Sequence, residues 1–111
     1  MFFDSTLKSL EVILGGAITT NELTWSASWL DIDQTTFGAS VVSDDDGLTN
    51  GGTAVTVIPA PGAGKSRQAK FLSIYNGDTV PTDVTIRINN NGTFRTVFKA
   101  TLEVGDTVYY A

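Results

Sequence analysis

Cysteine and histidine are both absent from this chain of 111 residues. Without cysteine there is no disulfide, no thiol nucleophile and no thiolate metal site. Without histidine the chain lacks the commonest general base, the usual partner of a serine nucleophile and the commonest transition-metal ligand. Basic residues are scarce as well: seven Lys and Arg stand against twelve Asp and Glu, a formal net charge of −5. That balance argues against a nucleic-acid partner, because phosphate neutralisation needs clustered cations, and the same charge repels an anionic membrane. No apolar run approaches the ~20 residues of a spanning helix. The first residues, Met1-Phe2-Phe3-Asp4-Ser5-Thr6, do not pair a basic segment with an apolar core, so no secretory signal is expected and synthesis in a cytoplasm is. Helical spacing is missing too. Together these gaps point away from an enzyme and predict no catalytic residue, no cofactor and no metal.

What the chain does have is alternation. In Leu23-Thr-Trp-Ser-Ala-Ser-Trp-Leu-Asp31, residues Leu23, Trp25, Ala27 and Trp29 fall on one side and Thr24, Ser26 and Ser28 on the other. A period of two sends successive side chains to opposite faces of a pleated strand, one dry and one wet. Leu10, Val12 and Leu14 repeat the pattern before Gly15-Gly16 breaks it. Further strands are expected over 36–42 (Phe37, Ala39 and Val41 in phase), 53–58, 68–75, 84–88, 93–101 (Phe94, Thr96, Phe98 and Ala100 in phase) and 107–110. Asn89-Asn-Asn-Gly92 reads as a hairpin turn, since Asn and Gly tolerate the left-handed backbone of primed turns. Ser43–Gly52 reads as a polar loop. Short strands at regular spacing predict an all-β chain: a compact antiparallel β-sandwich, jelly-roll-like, of about seven to eight short strands. Residues 7–111 form a single domain, preceded by an N-terminal arm, 1–6.

Three motifs look like chemistry. Gly64-Lys65-Ser66 follows a β-run as in a phosphate-binding loop, but Pro59 occupies the place of the first glycine and the following residues alternate as a strand, where the motif needs a helix N-terminus. Asp44-Asp45-Asp46 lacks the alternate spacing and closing glutamate of a calcium loop, so solvated carboxylates are expected. Asn91-Gly92-Thr93 matches a glycosylation acceptor and is read as the tip of a hairpin. Trp25 and Trp29 share a strand face, which is a core face or, in the functional reading, an aromatic platform for a sugar or a partner subunit. Phe2 and Phe3 precede the first strand of the domain, so they are candidates for an arm that reaches a partner or for rings that cap the core. Phe2, Phe3, Trp25 and Trp29 are therefore the candidate partner-interface residues.

Longer phrases carry a likeness. Thr49-Asn-Gly-Gly-Thr-Ala-Val-Thr-Val-Ile58 is followed by Pro59-Ala-Pro61 and Arg67-Gln-Ala-Lys-Phe-Leu-Ser-Ile-Tyr-Asn76. Asp78-Thr79, Thr82-Asp-Val-Thr-Ile86, Lys99-Ala-Thr-Leu102 and Gly105-Asp-Thr107 come next, with Ser9-Leu-Glu-Val12 near the start. This resembles the small β-sandwich virion proteins of tailed bacteriophages that decorate or cement the head, a group with comparable modules in tails. The resemblance implies a capsid decoration protein on the outer surface of the head, stabilising contacts between capsomers. Its implied partners are the major capsid protein and copies of itself, as a trimer, and its location is the virion. No active site comes with it. A tail or neck component is the structural alternative. A carbohydrate-binding module resting on Trp25 and Trp29 is the alternative of another class.

Overall fold

The computed structural model describes residues 1–110, except for the side chains of Ser40 and Val41. Among these residues there is no helix; nine strands run β1 (Phe2–Phe3), β2 (Lys8–Leu14), β3 (Thr24–Asp33), β4 (Ala39–Leu48), β5 (Val55–Ile58), β6 (Lys65–Tyr75), β7 (Thr82–Asn90), β8 (Thr93–Leu102) and β9 (Thr107–Tyr110). They pair antiparallel into two sheets. One has the order β1-β6-β3-β4, with β9 on β6 as well; the other has the order β5-β2-β7-β8. β1 pairs with Gln68 and Arg67 and β9 with Leu72–Tyr75, so the two short strands lie on different stretches of β6. The chain is thus a two-sheet antiparallel β-sandwich.

The inner faces of both sheets supply the core. From β3 come Trp25, Ala27 and Trp29, from β2 Leu10, Val12 and Leu14, from β6 Ala69, Leu72 and Ile74, and from β7 Val84 and Ile86. In β2, β3 and β7 these positions recur every two residues, the period in the sequence, while in β6 a register shift at Lys70 spaces Ala69 and Leu72 three residues apart. Gly47 stands opposite Trp25, and a Cβ there would lie 3.1 Å from the indole Cζ2. The missing side chain leaves the indole room to lie against β4. The β7–β8 hairpin turns at Asn91 (φ 52°) and Gly92 (φ 89°), the left-handed pair that a two-residue primed turn requires.

Four expectations change. The polar stretch that begins at Ser43 is strand as far as Leu48, because Ser28, Ala27 and Ser26 pair with Asp44, Asp45 and Asp46. Three carboxylates are compatible with a strand whose other side has no neighbour, since they stay hydrated there. Phe37 is not in a strand; it sits on the β3–β4 connection at φ 60° and is 79% exposed, while the side chain of Val41 lies outside the described residues. Phe94 and Thr96 are out of phase with Phe98, because the β7–β8 register shifts between Ile86 and Arg87 and leaves Val97 as an extra residue. Finally, residues 1–6, open between an arm to a partner and a cap on the core, lie against the domain. β1 adds to the edge of β6, the Ala69 N–H donates to the Met1 carbonyl at 2.9 Å, and Phe3 is fully buried.

Candidate functional site

The motif at Gly64-Lys65-Ser66 is built as strand. Lys65 and Ser66 open β6, Lys65 Nζ pairs with Asp33 Oδ2 at 3.0 Å, and Ser66 Oγ accepts from Gln34 Nε2 at 3.1 Å. No helix follows, so no convergent N–H groups cradle an anion. Asp33 also accepts the Thr36 and Thr35 N–H groups, and these bonds with Lys65 hold its carboxyl far below the ordinary range. We therefore expect Lys65→Ala to leave folding intact, and nucleotide with magnesium to leave the melting temperature of the wild type unchanged. A saturable upward shift in a thermal-denaturation series would contradict this, because a ligand of the native state stabilises it.

Beside it Arg67 closes the end of the sandwich. Its Nε and Nη2 hold Asp31 Oδ1 and Oδ2 at 2.7 and 3.0 Å, and its Nη1 donates to the Pro59 and Ala60 carbonyls at 2.7 and 3.2 Å. The guanidinium lies 5.2 Å from the Trp29 ring centre, a cation–π contact, and its bond to Asp31 lowers that carboxyl's pKa. At the other end Asn76 and Asp78 are buried. The Asp78 carboxylate accepts N–H groups from Thr19, Thr20, Asn21 and Thr79 at 2.8–3.0 Å, which drives its pKa far below the ordinary range. Asn76 Nδ2 donates to the Val80 and Leu102 carbonyls. These groups tie loops together, and the polar side-chain atoms described here are held by partners within the domain; the buried indole N–H of Trp25 has no hydrogen-bond acceptor.

Of the four candidate partner-interface residues, three are almost wholly buried in the domain. Trp25, Trp29 and Phe3 are in the core, with exposures of 6%, 7% and 0%. The tryptophans follow the alternation inward, and Phe3 is carried inward by the pairing of β1 on β6. Phe2 alone is exposed, at 58%, beside Lys8, Ile88, Arg95 and Val97 in a crevice of about 450 Å³. The acidic run is exposed, and no group of three metal-ligating side chains capable of holding an ion occurs among the described residues.

The outer faces of the two sheets differ in kind. On the β2–β7–β8 sheet, Glu11 is buried under its neighbours: Arg87 Nε donates to Oε1 at 3.0 Å, Asn89 Nδ2 donates to Oε2 at 2.8 Å, and the Phe94 ring lies 3.8 Å from the guanidinium of Arg87. Glu11 and Arg87 are thus satisfied by their neighbours, while Phe94 and Lys99 on the same face are exposed. On the other sheet Ser26 and Ser28 of β3 stand beside Ser73 and Phe71 of β6, with Tyr109 of β9 next to Ser73. Phe71 and Tyr109 touch, ring centres 5.8 Å apart, and Tyr75 and Leu48 flank Thr24. All four apolar or aromatic side chains are exposed, Tyr109 by 70%. Between Leu48 and Tyr75 a shallow hollow of about 370 Å³ is lined also by Thr24, Ser26, Asp46 and Ser73, with Trp25 and Gly47 at its wall. Rigid aromatic rings among small hydroxyls on an exposed sheet face are suited to contact with another macromolecule, since they give area at little entropic cost. The sequence alternation placed Ser26 and Ser28 on the wet face, but Phe71 and Tyr75 join them only through the pairing of β6 on β3, and Tyr109 through that of β9 on β6.

The architecture defines an all-β sandwich domain with an aromatic outer face. Compared with profiles of known protein families, with curated proteins and with solved structures, the chain matches none.

Proposed function

We propose that this chain is a non-catalytic structural protein of a tailed-phage virion, of the head-decoration type, and that it docks through the outer face of the β4–β3–β6–β9 sheet. The observation that carries the docking face is the exposed set Phe71, Tyr75, Tyr109 and Leu48 on one sheet, while the opposite face exposes one ring, Phe94, over its Arg87–Glu11 ion pair. The virion assignment rests on the strand-and-turn phrases that resemble such proteins, together with an acidic domain whose polar clusters all serve its own loops. The major capsid protein is the proposed partner. Many weak, symmetric contacts on a shell add up to strong attachment, so a modest face suffices. A sugar-binding reading would rest on the exposed Tyr75 and Tyr109 rather than on Trp25 and Trp29, which are 6% and 7% exposed.

The experiment is a binding assay on phage heads assembled without this protein. The wild-type domain should co-sediment with the heads to a saturating copy number. Phe71→Ser combined with Tyr109→Ser should keep the fold and weaken binding by at least about tenfold, the scale of one lost aromatic anchor. Absence of binding by the wild type would overturn the reading. Co-sedimentation that the double variant leaves unchanged would move the docking face elsewhere.

A further inference from the structure

Both long edge strands are open, and they carry opposite charge. β4 (Ala39–Leu48) ends one sheet and contains Asp44, Asp45 and Asp46 with no basic residue; β8 (Thr93–Leu102) ends the other and contains Arg95 and Lys99 with no acidic one. All five charged side chains are exposed. Among the described residues, four of the seven basic side chains, those of Lys8, Lys65, Arg67 and Arg87, are in internal ion pairs. Arg95 and Lys99 are not, nor is Lys70, which lies on β6 inside its sheet, and neither are the three aspartates.

The two edges also lie on opposite flanks. β4 and β3 contact β5, at the far margin of the second sheet, whereas Phe98 of β8 meets Tyr110 of β9 at 5.9 Å on the other flank. Charge on an edge strand ordinarily prevents edge-to-edge pairing. Here that holds only for like edges: β4 against β4 would bring six carboxylates together, and β8 against β8 four cations. Unlike edges attract. The register shift at Val97 places Lys99 in phase with Thr85 and Arg95 in phase with Ile88, so the cations project from both faces of β8. Alternation does the same for Asp45 relative to Asp44 and Asp46 on β4. Each strand is ten residues long, about 33 Å of unpaired backbone.

We infer that β4 of one copy pairs with β8 of a second copy of this chain, forming a head-to-tail contact between sheet edges. Such a contact uses different surfaces on the two partners, so it closes into a ring or continues as a filament. Main-chain hydrogen bonds supply the affinity, and the Asp–Arg/Lys complementarity selects the partner edge. The inference stands whether or not the outer face docks on a phage head.

Sedimentation velocity across a concentration series tests it. Wild type should associate reversibly, and less as ionic strength rises, because the contacts are solvent-accessible. Two charge-reversed proteins, one with Asp44→Lys, Asp45→Lys and Asp46→Lys, the other with Arg95→Glu and Lys99→Glu, should each melt as folded domains and remain monomeric, with the dissociation constant raised by at least about tenfold. Mixed together, they should associate again, because each presents the charge that the other's edges need. Wild type that stays monomeric throughout would overturn the inference. So would association that survives both reversals, or a mixture that fails to associate.

Discussion

Phe3→Ala should lower the melting temperature of the isolated domain by more than ~10 °C, and deletion of residues 1–6 should do so by at least as much. Phe3 is fully buried and belongs to the single hydrophobic core. Truncating a buried phenylalanine costs about 3–5 kcal/mol, because it removes transfer free energy and leaves a cavity. The deletion also strips the pairing of Phe2 with Gln68 and Phe3 with Arg67 from the edge of β6. Phe2→Ala, by contrast, should change the melting temperature by no more than a few degrees, since that ring is mostly in solvent. Thermal denaturation followed by circular dichroism separates the three. A Phe3→Ala domain that melts like the wild type would return the N-terminus to the status of a free arm.

The second large effect is at Asp78, and acid exposes it. Four backbone N–H groups converge on this carboxylate, so its folded pKa lies far below the value near 3.9 that an unfolded aspartate has. A depressed carboxyl contributes stability that is fully present above the unfolded pKa and is lost as pH falls towards the folded one. The wild-type melting temperature should therefore fall steeply below about pH 4, where the unfolded chain takes up the proton first. Asp78→Asn should melt lower at neutral pH, because the amide supplies one acceptor oxygen where two were used. It should also show a shallower decline in acid, the remainder coming from Asp33 and Asp31, whose pKa values are lowered as well. Asp78→Ala, which leaves the N–H groups of Thr19, Thr20 and Asn21 without a side-chain acceptor, should be the least stable of the set. Parallel slopes for wild type and Asp78→Asn would contradict the assignment.

How much of this was legible beforehand depends on the range of each interaction. The sandwich was legible because burial on one face of a strand imposes a period of two, and Leu10, Val12, Trp25, Ala27, Trp29, Val84 and Ile86 all obey it. The turn at Asn91-Gly92 was legible from local backbone chemistry. Misread features depended on a partner strand distant in sequence. Asp44–Asp46 resemble a loop until β3 is seen to pair with them, and Phe94 looks in phase with Phe98 until the bulge at Val97 is known. Phe2 and Phe3 looked orphaned because β6 lies more than sixty residues away. The candidate site was the least legible part. Its residues come from β3, β4, β6 and β9, and no single segment shows the cluster. Trp25 and Trp29 drew attention by residue type, yet their alternation with serine already favoured the core.

The central claim, that the outer face of the β4–β3–β6–β9 sheet meets the phage shell, is tested most directly by cysteine footprinting. Because the chain has no cysteine, Ser26→Cys places one thiol in the middle of that face, on an exposed residue. The account predicts rapid maleimide labelling of the free domain and strong protection once the domain is bound to phage heads, while Thr96→Cys, an exposed position paired with Arg87 in the other sheet, is the reference. Labelling of Ser26→Cys at the same rate, free and bound, would contradict it.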